Sequence, residues 1–133
     1  METEALKIGM KHSVSETGEE GNTAVAMGSG SLPVYATPAM TCLMERAAAE
    51  LAQEHLPEGW TSVGIALDVQ HKAATPRGME VRAEAEITAV EGRKITYDVR
   101  AFDGKDEIGA GTHRRFAVLR EKFMAKAEAK KSH

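Results

Sequence analysis

The chain has 133 residues, 42% hydrophobic and 28% charged, with a formal net charge of -3 at pH 7. That balance fits one compact soluble domain over residues 1–133 and excludes a disordered polyelectrolyte. It also argues against a nucleic-acid binder, because aromatics are only 5% of the chain and no basic stripe interleaves with them.

Cys42 is the only cysteine, so no disulfide forms within the chain and a reducing compartment is expected. It sits in the apolar run Met40-Thr41-Cys42-Leu43-Met44, where a buried, inert thiol is the simplest expectation. Met1 to Met10 alternates charged and apolar residues without a hydrophobic signal core, and no stretch reaches the length of a membrane span. A cytoplasmic location without a membrane partner follows as the expectation.

Leu6 to Thr17 is the first predicted strand, closed by the turn cluster Gly18-Glu19-Glu20-Gly21-Asn22. A short apolar piece, Thr23 to Met27, leads into the flexible Gly28-Ser29-Gly30-Ser31. No Lys-Ser/Thr pair accompanies those glycines, so they do not form a phosphate-binding loop. Thr37-Pro38 starts a helix, with the Thr hydroxyl expected to cap free amides and Pro suited to the first turn. The helix is predicted to about His55, ahead of Pro57-Glu58-Gly59. At about 100° per residue, Met40, Met44, Ala47, Ala48, Leu51 and Ala52 share one arc. Arg46, Glu50, Gln53 and Glu54 fill the opposite one. Glu45 falls at the edge of the apolar arc.

Beyond the helix the period changes to two. Val63, Ile65, Leu67, Val69 and His71 alternate with Gly64, Ala66, Asp68 and Gln70. After the turn at Ala73 to Gly78, Met79 to Ala89 alternates cleanly, with one buried and one wet face. Glu91-Gly92 and Asp103-Gly104 are tight-turn signals on either side of a strand from Arg93 to Phe102. A last strand, Glu107 to Leu119, runs into a charged surface helix from Arg120 to Lys131. One helix grouped with mostly antiparallel strands predicts an α+β fold, a single sheet around an Ala-rich helix. Within the last strand, Gly109-Ala110-Gly111 is expected to mark a bulge or a close approach by the helix.

Three polar residues are oddly placed for a purely structural domain. Glu45 is an inward carboxylate, which needs a partner or a raised pKa. His71 ends an apolar strand face, where an imidazole is available for proton transfer. Thr37 stands at a helix start, beside amides suited to developing negative charge. Each has an ordinary structural alternative: a helix cap, a hydrogen-bonded carboxylate, a satisfied histidine. His12, His55, His113 and His133 show no ligand spacing with carboxylates or Cys42, so no metal is expected, and no G-x-S-x-G elbow occurs.

Val34-Tyr35-Ala36-Thr37, Leu43-Met44-Glu45, Gly64, Val69 to Gly78, Val90 to Arg93, Phe102 to Gly104, Asp106 to Arg114 and Glu121-Lys122-Phe123 carry a further pattern. From about Ala5 to Lys126 it resembles the fluoroacetyl-CoA thioesterase branch of the hotdog thioesterases. The resemblance implies a hotdog fold, a catalytic group of Thr37, Glu45 and His71, and a site-lining glycine at Gly64. It implies thioester hydrolysis of an acyl-CoA, with no cofactor beyond the CoA of the substrate, and a homodimer as the minimum unit. Lys72, Arg77, Arg114 and Arg115 are the candidates to meet CoA phosphates, with Arg77 and Arg114 taken as substrate-binding. Members specific for fluoroacetyl-CoA carry an aromatic gate before the catalytic Thr. Ser29-Gly30-Ser31-Leu32-Pro33 has no Phe, so a short-chain acyl-CoA is the expected substrate class. The alternatives are a non-catalytic acyl-CoA binding or sensing module on the same fold, and a hotdog hydratase, whose Asp/His-plus-Pro signature is absent.

Overall fold

Period-two alternation becomes sheet wherever one of its faces finds something to bury against. In the computed structural model, which describes residues 1–132, that partner is a single helix; His133 lies outside the described residues. The elements are β1 (Lys11–Thr17), α1 (Ala24–Met27), α2 (Thr37–Gln53), β2 (Trp60–His71), β3 (Glu80–Glu91), β4 (Lys94–Phe102), β5 (Glu107–Leu119) and α3 (Arg120–Glu128). The strands form one antiparallel sheet in the order β1-β3-β4-β5-β2, leaving β1 and β2 as its edges. This is the α+β arrangement expected, with β3-β4-β5 as the meander.

The core lies between α2 and the concave face. Val81, Ala83, Ala85 and Ile87 of β3 and Ile95, Tyr97, Val99 and Ala101 of β4 are fully buried, as are Met40, Met44, Ala47, Ala48 and Ala52 of α2. The alanines let the helix lie close, and Tyr97 Oη donates a 3.1 Å hydrogen bond to the Ala48 carbonyl. A Cβ at Gly109 would stand 2.5 Å from Met40 Sδ of α2, so the close approach expected from the glycine is observed. No helix among the described residues is long and apolar enough to cross a membrane.

Several local expectations are corrected. β1 starts at Lys11 rather than Leu6, because Gly9 has φ +93 and turns the chain while Leu6 packs into the core. The apolar piece before the Gly/Ser loop is a helical turn, α1, capped by Thr23. α2 stops at Gln53. Its cap is Ala36, which has no side chain to bond the free amides, so Thr37 is the first helical residue and does not cap. Cys42 is exposed, on the outer side of α2. In β2 the alternation breaks: the register with β5 shifts between Gly64 and Ala66, leaving Ile65 unpaired and 52% exposed. α3 buries none of its residues, as a surface-lying helix should.

Candidate active site

The last residue of β2 and the first of α2 meet. Thr37 Oγ1 and His71 Nδ1 are 2.7 Å apart. They border a cleft of about 300 Å³ whose lining also includes Ser29, Tyr35, Lys72 and Ala73. Burial holds the His71 imidazole below its ordinary pKa of 6.5, offset in part by the Ala73 backbone. A neutral ring beside a hydroxyl is the arrangement of a base with its nucleophile. The other ring nitrogen, Nε2, is buried and has no hydrogen-bond partner among the described residues. Such an atom is costly to leave without a partner.

Glu45 is not that partner within one chain. Eight residues of α-helix separate it from Thr37, an axial distance of about 12 Å. Its carboxylate instead borders the open side of Gly64, where an added Cβ would stand 3.0 Å from Glu45 Oε2. The same point lies 3.2 Å from His113 Cε1 and 3.4 Å from Arg115 Nη1. The structure therefore brings Thr37 to His71 and Glu45 to Gly64. Glu45 does not line the cleft that Thr37 and His71 border.

His113 and Arg115 were not expected at the site. Arg115 was grouped with surface cations for CoA phosphates, yet its side chain is turned inward. Its Nε donates to Ser62 Oγ at 2.7 Å and its Nη2 to the Ser62 carbonyl at 3.0 Å. Alternation along β5 held the signal, since 113, 115 and 117 share the face that is buried. Lys72 lines the cleft and pairs with Glu107 at 2.8 Å. Arg77, in the turn before β3, and Arg114, opposite Ala66 on β5, are both exposed and do not line the cleft.

Residues 19–121 match the family model described as fluoroacetyl-CoA-specific thioesterase. The chain belongs to that family. It is 46% identical over 97 residues to the fluoroacetyl-CoA thioesterase of Streptantibioticus cattleyicolor, covering 73% of this chain and 70% of the relative. Among solved structures, the fluoroacetyl-CoA thioesterase FlK superposes with a TM-score of 0.88 at 37% identity, over 94% of this chain and 97% of that one. A thioesterase superfamily member from Thermus thermophilus gives a TM-score of 0.90 at 26% identity, over 97% and 96%. A hot-dog-like protein from Thermanaerovibrio acidaminovorans shares the fold, at a TM-score of 0.88. The fluoroacetyl-CoA-specific thioesterase family is thus carried here on the hotdog fold, and the chain is an acyl-CoA thioesterase. The aromatic-free segment Ser29 to Pro33 joins α1 to the strand-like stretch before α2; Ser29 lines the cleft and Leu32 is exposed.

Proposed function

We propose that the protein hydrolyses a short-chain acyl-CoA, with Thr37 and His71 of one copy working together with Glu45 of a second copy. The observation that carries this reading is the 2.7 Å contact between Thr37 Oγ1 and a neutral His71 whose other nitrogen lacks a partner. Thr37 gives its proton to Nδ1 and attacks the thioester carbonyl. First-turn amides of α2 stabilise the oxyanion. Collapse of the tetrahedral intermediate breaks the C–S bond, and the protonated imidazole returns its proton to the CoA sulfur. Water, deprotonated by the carboxylate of Glu45, then attacks the acyl-Thr37 ester; the acyl C–O bond breaks, the free acid leaves, and Thr37 Oγ1 takes up the proton Glu45 had accepted, restoring both groups. The cleft, about 300 Å³ and lined largely by small residues such as Ala24, Ala73 and Ala74, favours small acyl groups, fluoroacetyl among those to be assayed.

Two observations support a second copy. β2 is a free sheet edge with exposed Ile65 and Leu67 near its middle, the kind of edge that pairs with another strand. The eight residues of helix from Thr37 to Glu45, about 12 Å of axial rise, also favour a carboxylate supplied by the other chain. A buried Nε2–H facing a partner carboxylate would satisfy a polar atom that has no hydrogen-bond partner among the described residues.

The test is thiol release over a panel of acyl-CoAs, followed by subunit mixing. Thr37→Ala and Glu45→Gln chains, each inactive alone, should regain roughly a quarter of wild-type activity when mixed and re-equilibrated, because a mixed pair restores one whole site. No recovery despite verified mixing would put the site within one chain. Acyl-CoA binding without thiol release would mark a sensing module instead.

A further inference from the structure

Buried between β2, β4, β5 and α2 is a polar cluster that the hydrolytic reading leaves unused. His113 is 1% exposed and stacks on Tyr97, with ring centroids 6.0 Å apart and planes at 23°. Its Nδ1 lies 2.7 Å from the Ala66 carbonyl and its Nε2 lies 3.2 Å from Arg115 Nη1. These two partners fix the ring. A carbonyl only accepts, so Nδ1 carries the proton; a guanidinium only donates, so Nε2 must offer its lone pair. One tautomer satisfies both ends.

Arg115 in turn has three anchors, Ser62 Oγ, the Ser62 carbonyl and His113 Nε2. Ser62 holds Nε and Nη2, and His113 alone holds Nη1. That same Nη1 reaches the open side of Gly64, 3.4 Å from where a Cβ would stand, with Glu45 Oε2 at 3.0 Å on the same point. An arginine fork has little freedom once both ends are tied, so the imidazole sets where the charge nearest Glu45 points.

We propose that His113 is a positioning residue for the thioesterase reaction: held as its Nδ1–H tautomer by the Ala66 carbonyl, it aims the Arg115 guanidinium at the gap over Gly64 bordered by Glu45. The proposal rests on the reading of Glu45 as a working carboxylate. The groups facing the ring are Arg115 from β5, Tyr97 from β4, Glu45 from α2 and the Ala66 carbonyl from β2. Protonating Nε2 would turn an acceptor into a donor against a cation; burial, the largest cause, and Arg115 favour the neutral ring, against opposing pulls from the Ala66 carbonyl and Glu45.

The test compares two amides. His113→Asn retains a donor near the Ala66 carbonyl but cannot reach Nη1. His113→Gln reaches the Nε2 position with an acceptor oxygen. His113→Asn should lower kcat about tenfold or more with KM little changed, as expected for a misplaced charge beside a reacting group, and His113→Gln should recover most of that loss. In an Arg115→Met background the His113→Asn change should add nothing further. Equal losses in the Asn and Gln variants, or an undiminished His113→Asn effect without Arg115, would overturn the proposal. Nitrogen-15 NMR of the wild-type imidazole reads the tautomer and the Arg115 Nε–H signal without any turnover. It should show Nδ1 protonated and Nε2 bare, and a shifted Arg115 signal in His113→Asn. A protonated Nε2, or an unmoved Arg115 signal, would sink the positioning role even if hydrolysis is demonstrated. Wild-type protein that releases no thiol, with the NMR result as expected, would instead sink the hydrolytic reading.

Discussion

Glu45 and Gly64 touch across the space a side chain would fill: a Cβ on residue 64 would come 3.0 Å from Glu45 Oε2. The glycine is required by its neighbours rather than by its backbone, since it does not have a positive φ. Gly64→Ala should crowd the carboxylate, with His113 Cε1 3.2 Å from the same added Cβ, and lower kcat about tenfold while the protein still folds. Gly109→Ala should behave oppositely. Its Cβ would meet Met40 Sδ at 2.5 Å and the Gln70 carbonyl at 3.1 Å, in the packed core. Destabilisation of about 1–3 kcal/mol by denaturant titration is expected there. A Gly64→Ala protein with wild-type kcat would contradict the assignment of Glu45.

Thr37 separates cap from chemistry. Because Ala36 occupies the cap position and the Thr37 hydroxyl faces His71, Thr37→Ala should change the melting temperature little. A true cap would cost about 1 kcal/mol. Activity should fall about 10²-fold or more, and Thr37→Ser should retain much of it. Thiol-release kinetics beside thermal melts measure both; a large loss of stability with modest loss of rate would restore the capping role.

Burial lowers the pKa of His71 and of His113 below the ordinary 6.5. Two consequences share one sign. The base form of His71 persists to lower pH, so the acid limb of kcat/KM should lie below pH 6.5. Stability moves the same way: between the folded and unfolded pKa values the unfolded chain binds more protons, so the contribution is whole above pH 6.5 and is lost as pH falls through the folded values. Melting temperatures from pH 8 downward should stay level and then drop below about 6.5, the drop smaller in His113→Gln. An acid limb centred above 6.5 would contradict the burial of His71.

The β2 edge carries the oligomer prediction. Ile65→Lys and Leu67→Lys place charge on the exposed middle of that strand, where pairing with a second copy would desolvate it. Sedimentation should show dimer converted to monomer, with activity falling in step, while far-UV circular dichroism stays unchanged. Retained dimers in both variants would move the interface elsewhere.

Local chemistry was enough to write down the order of the strands with α2 and α3, the α2 core stripe and the β3-β4-β5 meander, because helical and period-two patterns are properties of neighbours in sequence. Thr37, Glu45, His71 and Gly64 were likewise marked by residue type against pattern and by family resemblance. What only the packed chain decided is which of them touch. The unpaired Ile65 turned Gly64 toward Glu45 and broke an alternation that looked continuous. The outer side of α2 left Cys42 in solvent. Arg115 and His113 read as surface cation and spare histidine until the inner face of β5 folded them under α2. Periodicity sets the face a residue takes within its own strand or helix. Only the crossing of distant elements sets what waits on the other side, and hydrogen-bond partners such as Ser62 and Ala66 are chosen there.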